Sequence, residues 1–175
     1  MWGFVCLFLY YGVRRRDQVR GAKVSAEQRL KELGIILAEP PQALASYVPG
    51  LICGDLAFVS GQLPIKDGVL LWQGKLGREL DLEKGYQAAR QAAINCLSVL
   101  RWLVGSLDGV AGIVRITGYV QASDDFYQHP QVVNGASDLM EQVFGTSGKH
   151  SRVAVGVNSL PLNAPCEIEL VARLR

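Results

Sequence analysis

Charge is scarce in this sequence. Charged residues make up 19% of its 175 positions, against roughly 25% in an ordinary soluble domain. Eighteen Lys and Arg face sixteen Asp and Glu, for a net charge of +2, a balance too even for a chain built to grip nucleic acid or an anionic membrane. Histidine is scarcer still: only His129 and His150 are present, which excludes a multi-histidine metal site. The four cysteines, Cys6, Cys53, Cys96 and Cys166, form no CxxC pair and have no histidine in ligand spacing, so neither zinc nor an iron–sulfur cluster is expected. They read as small apolar side chains in a reducing, cytoplasmic compartment. GxSxG, P-loop and GxGxxG motifs are also missing, which removes the usual signatures of serine hydrolases and of nucleotide cofactors.

Apolar residues, in contrast, are plentiful at 49%. That excludes intrinsic disorder, and a chain of this length forms one domain burying roughly 70% of its unfolded surface without a disulfide or metal. A monomer so poor in charge would expose much apolar surface, so sister subunits are expected to cover part of it.

Residues 2–13, WGFVCLFLYYGV, are almost wholly apolar and precede Arg14, Arg15 and Arg16. A secretory signal carries its positive charge before the apolar run and a small-residue cleavage site after it, and this segment has neither. A bilayer-spanning helix needs about 20 apolar residues, so the run is also too short to cross a membrane. An interfacial anchor with arginines toward anionic lipid is the alternative. The expectation adopted is a poorly ordered extension over 1–23, with the domain covering 24–175.

Within the body, Ser25 and Gln28 form a capping-box pattern ahead of Leu30 and Leu33, and Gly34 closes a short helix. Short apolar runs around Gly54-Asp55 predict two strands and a tight turn, Pro64 ends that hairpin, and Asp67-Gly68 leads into Val69–Trp72. Asp81 caps a long helix in which Leu82, Tyr86, Ala89, Ala93, Leu97, Leu100 and Val104 recur at steps of three and four. The β-branched residues of 113–121 predict a strand. Pro130 opens a second helix carrying Val132, Ala136, Leu139, Val143 and Phe144 on one face. Strands at 152–157 and 166–174 complete an α+β layer with two helices on one face of a sheet.

Arg152 is the foremost candidate for chemistry. It opens a strand otherwise made of Val, Ala and Gly, and a guanidinium in such company is expected to need an anionic partner. Its planar fork suits a carboxylate. Glu167 and Glu169 alternate with Cys166, Ile168 and Leu170, so both carboxylates lie on the face opposite those apolar residues. Two readings follow: an Arg–Glu ion pair across the sheet, or an arginine holding a substrate carboxylate while a glutamate manages a water. His150, beside Lys149 and Arg152, reads first as a solvated strand entry, and its nearness to Arg152 makes a minor contact of the same site the alternative.

The segments SYVPG (46–50), FVSGQLP (58–64), VVNGASDLMEQVFG (132–145) and HSRVAVGVNSLPLNAPCEIELVA (150–172), in this order, resemble the RidA/YjgF family of reactive-intermediate deaminases over residues 25–175. The resemblance implies a chorismate-mutase-like α+β fold: a mixed six-stranded sheet, two helices on one face, and a barrel-like homotrimer with ligand clefts between subunits. It implies hydrolysis of 2-imino and enamine acids, of the 2-iminobutanoate and 2-iminopropanoate kind, to a 2-oxo acid and ammonia without a cofactor. By the same resemblance Arg152 binds the substrate carboxylate, Glu167 serves the hydrolytic water, and Tyr47, Gly61 and Asn134 contact the substrate. His150, Asn158, Cys166 and longer segments at 69–81 and 126–134 depart from the family pattern and place the chain in a longer branch. A non-catalytic trimer that binds a small carboxylate is the alternative function. A ribonuclease, also attached to this family, lacks both a histidine pair for acid–base cleavage and a basic aromatic surface here.

Overall fold

The computed structural model describes residues 24–40 and 46–175. The expected N-terminal extension and Cys6 lie outside the described residues. Helix α1 (Ala26–Glu32) starts where Ser25 Oγ accepts from the Gln28 N–H, and it is clasped to the turn at Leu107–Gly109. Asp108 Oδ1 accepts from the N–H groups of Ala26 and Glu27, while Glu27 Oε1 accepts from the Leu107 N–H. Each carboxylate therefore satisfies donors that the other segment's helical start leaves open.

Strands β1 (Gly50–Cys53) and β2 (Leu56–Gln62) form the expected hairpin, and β3 (Ile65–Lys66) pairs with β4 (Val69–Leu70). Helix α2 (Leu82–Val104) is capped by Asp81, whose Oδ1 accepts from the Lys84 N–H at 2.8 Å, and it ends at Gly105. Strand β5 (Val110–Gln121) leads into α3 (His129–Phe144), β6 (Ser151–Val157) and β7 (Cys166–Leu174).

The sheet runs β1-β2-β7-β5-β6, with β5 and β6 parallel and every other pair antiparallel. The α+β fold with a mixed sheet is thus present, but its main sheet has five strands where six were expected. The residues after Pro64 form the separate β3–β4 ribbon. A second difference lies in β5, which begins at Val110 rather than 113 because it continues past two irregularities in its pairing with β7. A β-branched stretch marks the middle of such a strand better than its bulged start.

Helices α2 and α3 cover one face. Alternate residues Cys166, Ile168, Leu170 and Ala172 of β7 are buried beneath them with Ala89, Ala93, Leu97 and Leu100 of α2 and Val132, Ala136 and Leu139 of α3. Each fully buried leucine or isoleucine here contributes about 1.5–3 kcal/mol. The helices also press on each other: a β-carbon built on Gly135 would overlap the Tyr86 carbonyl oxygen. Among the described residues nothing covers the opposite face of the sheet, and Leu51, Phe58 and Val155 stand 48%, 40% and 37% exposed on it.

Candidate functional site

Arg152 sits in β6 opposite Ile116 of β5, and Ile116 is fully buried under the helices. Cross-strand partners share a face, so Arg152 is on the helix side, at the outer edge of the sheet. There α3 offers Asn134 and Ser137, one turn apart. The Arg152 Nη1 donates to Asn134 Oδ1 at 2.8 Å and to Ser137 Oγ at 3.0 Å. The expected anionic partner is absent: among the described residues no carboxylate oxygen lies within 4.0 Å of Arg152, and the one ion pair joins Arg78 to Glu79. The reason is exposure. Arg152 is solvent-exposed, so water meets the cost that burial would have imposed, and neutral oxygens are enough to orient it.

His150 lies behind this cluster. Its Nε2 is 3.0 Å from Ser137 Oγ and its Nδ1 is 2.6 Å from the Gly148 carbonyl oxygen. Ser137 is the site residue that the sequence reading missed. Its signal was available in its position three residues after Asn134 on a predicted helix, but a serine within a helix carries no chemical signature of its own.

Glu167 belongs to the other face. It pairs with Tyr119, three positions from Ile116 along a regular stretch of β5, so the alternation of β5 places it opposite the helices. Glu169, paired with Thr117, is on that same face and accepts from the Tyr119 hydroxyl at 3.5 Å. Glu169 also lines a cavity of about 260 Å³ with Phe58, Ser60, Arg115, Thr117 and Val171. Glu167 turns instead toward β2, where the pairing with β7 is irregular between Val59 and Gln62. A β-carbon on Gly61 would overlap Glu167 Oε1, so only glycine admits the carboxyl to this position. Partial burial, followed by the nearby negative charge of Glu169, pushes the proton affinity of Glu167 above that of an ordinary glutamate.

Tyr47 is 56% exposed on the segment entering β1. That segment is held beside Gly61 by Ser60, whose Oγ donates to the Val48 carbonyl and whose N–H donates to the Pro49 carbonyl. The five sequence-derived residues therefore fall into two groups. Arg152 and Asn134 are joined at the helix-side edge, while Gly61 and Glu167, with the Tyr47 segment alongside, lie at β2–β7. One chain does not bring Arg152 and Glu167 together.

No group of three or more His, Cys, Asp or Glu among the described residues is arranged to hold a metal ion. Nor is any described helix long and apolar enough to cross a membrane.

Residues 27–174 match the family described as "YjgF/chorismate mutase-like, putative endoribonuclease", and the chain belongs to that family. Among relatives, Protein TCP17 of Trypanosoma cruzi is 37% identical over 157 residues, covering 89% of this chain and 97% of its own. A Shewanella oneidensis structure superposes with TM-score 0.83 at 37% identity, over 86% of this chain and 99% of that one. A protein of unknown function from Agrobacterium tumefaciens gives TM-score 0.80 at 38% identity, over 86% and 92%. The YjgF gene product of Escherichia coli gives 0.57 at 26% identity, over 78% and 94%.

Proposed function

We propose that this protein hydrolyses 2-imino and enamine acids to 2-oxo acids and ammonia, in sites formed where two copies of the chain meet. The observation that carries this reading is the exposed Arg152 guanidinium, oriented by Asn134 and Ser137 and uncompensated by any carboxylate among the described residues. Such a group is prepared for an anion from solution. The protonated imine carbon of a 2-imino acid is already electrophilic, so the protein needs only to hold the substrate and a water in register. Water oxygen bonds to that carbon as the C=N π pair moves to nitrogen. Glu167 accepts a proton from the water and returns it to the nitrogen. The C–N bond then breaks with its electron pair leaving on nitrogen as ammonia, while an oxygen lone pair forms C=O and the hydroxyl proton passes to Glu167 and on to the departing ammonia. Its raised proton affinity suits this exchange better than that of a solvated glutamate.

Because Arg152 and Glu167 lie on opposite faces of one sheet, a complete site calls for Arg152 and Asn134 from one copy and Tyr47, Gly61 and Glu167 from another. The apolar sheet face that the described residues leave open supports such an assembly, for which a homotrimer is the form proposed. A reducing, cytoplasmic setting suits Cys53, Cys96 and Cys166, which form no disulfide among the described residues.

The same separation favours a second reading, a trimer that binds a small carboxylate at Arg152 without turning it over. Ammonia release from 2-iminopropanoate generated in the assay distinguishes them. The wild type is expected to accelerate release, and Arg152→Ala, with assembly unchanged by light scattering, to lose at least about a hundredfold, as removal of a charged anchor does. Binding of pyruvate without release would establish the binding module. Undiminished release by Arg152→Ala would overturn the proposal.

A further inference from the structure

Four residues converge on the outer edge of the sheet from two elements: Asn134 and Ser137 one turn apart on α3, His150 and Arg152 two apart along extended chain. The Nη1 of Arg152 has two hydrogens and two acceptors, Asn134 Oδ1 and Ser137 Oγ. Its capacity is thereby filled. What remains is the Nε–Nη2 edge, two parallel N–H donors that match the two oxygens of a planar carboxylate.

The orientation of Ser137 depends on His150. A carbonyl oxygen only accepts, so the 2.6 Å contact with Gly148 places the ring proton on Nδ1. In the neutral ring Nε2 then offers a lone pair, and the single proton of Ser137 goes to it across 3.0 Å. With its proton so committed, the Ser137 oxygen presents a lone pair to Arg152. Without His150 that hydroxyl is free to bond back to the carbonyl one turn earlier in its own helix, the common alternative for a helical serine.

We propose that His150 and Ser137 are positioning residues that turn the Nε–Nη2 edge of Arg152 toward a planar monocarboxylate, a 2-oxo or 2-imino acid. This rests on Arg152 being the anchor named under the proposed function. It adds two residues that never touch substrate, and it specifies the edge that does.

The test combines pyruvate titration calorimetry, imine-hydrolysis kinetics and histidine NMR on the full chain. Ser137→Ala and His150→Leu are expected to weaken pyruvate binding roughly tenfold, the scale of one charge-assisted hydrogen bond. His150→Gln, whose Oε1 can accept the serine proton, is expected to stay within about threefold of wild type. In Ser137→Ala and His150→Leu, KM is expected to rise while kcat holds within about twofold, since the network orients bound carboxylate and not the reacting carbon, and His150→Gln is expected to keep both near wild type. Long-range proton–nitrogen spectra of the wild type are expected to show neutral His150 protonated on Nδ1.

Wild-type affinity in Ser137→Ala and His150→Leu, with binding lost in Arg152→Ala, would overturn this proposal and leave the anchor standing. Wild-type affinity in Arg152→Ala would overturn both. A proton on Nε2 of neutral His150 would overturn the network whatever the variants bind.

Discussion

Gly61 of β2 and Glu167 of β7 share one volume: a β-carbon on the glycine would lie 2.6 Å from the carboxyl carbon of the glutamate. The neighbour in the way is the end of a flexible side chain rather than backbone, so a methyl group there displaces the carboxyl instead of breaking the strand. Gly61→Ala is expected to keep its fold, with a melting temperature within about 4 °C of wild type. Imine hydrolysis is expected to fall by about 10- to 100-fold, the cost of misplacing a catalytic group by an ångström. Thermal melts alongside ammonia release check both halves, and wild-type activity would remove Glu167 from the mechanism.

Glu167 also makes stability depend on pH. Burial and the charge of Glu169 raise its proton affinity in the folded chain above the ordinary value of 4.5. The folded state therefore holds this proton more firmly than the unfolded chain does. The resulting stabilisation is fully present below 4.5 and is lost as pH rises through the folded value. Glu167→Gln does not titrate, so it is expected to melt on the order of 1–2 °C above wild type at neutral pH. That advantage should vanish as the pH is lowered toward 4.5. Melting curves across this range provide the measurement, and an advantage that grew on acidification would contradict the burial argument.

Opposite faces can be tested by mixing chains. Arg152→Ala and Glu167→Gln are each expected to be inactive alone. Unfolded together in equal amounts and refolded, they are expected to regain about a quarter of wild-type activity if neighbouring copies complete each site at random. Ammonia release from the mixed assembly decides it, and no recovery would argue for a site within one chain.

The close crossing of α2 and α3 makes Gly135 a stability position. A side chain there meets the Tyr86 carbonyl and, at 3.0 Å, the Arg90 nitrogen, both of them backbone. Neither can rotate away. Gly135→Ala is expected to cost about 1–3 kcal/mol, as overpacking of a close contact does, measurable by urea unfolding.

Much of this was legible in the sequence where the signal is local. Asp81, Pro130 and the steps of three and four residues located α2 and α3, because caps and periodicity act within one turn. The alternation of Glu167 and Glu169 with Cys166, Ile168 and Leu170 gave their shared face for the same reason. That Arg152 faces the other way was hidden, since it follows from the register of β6 against β5 and β5 against β7, and pairing partners far apart in sequence leave no mark on either strand. The expected anionic partner of Arg152 failed on exposure, a property of the sheet edge that strand composition does not disclose. Ser137 escaped notice because its role comes from what α3 lies beside.

The divided placement of Arg152 and Glu167 makes turnover, on the proposed reading, a property of encounters between molecules. A lone newly made chain would be silent, and the rate per chain would climb as dilution is reversed. Output would then follow abundance more steeply than linearly until every copy had found its neighbours.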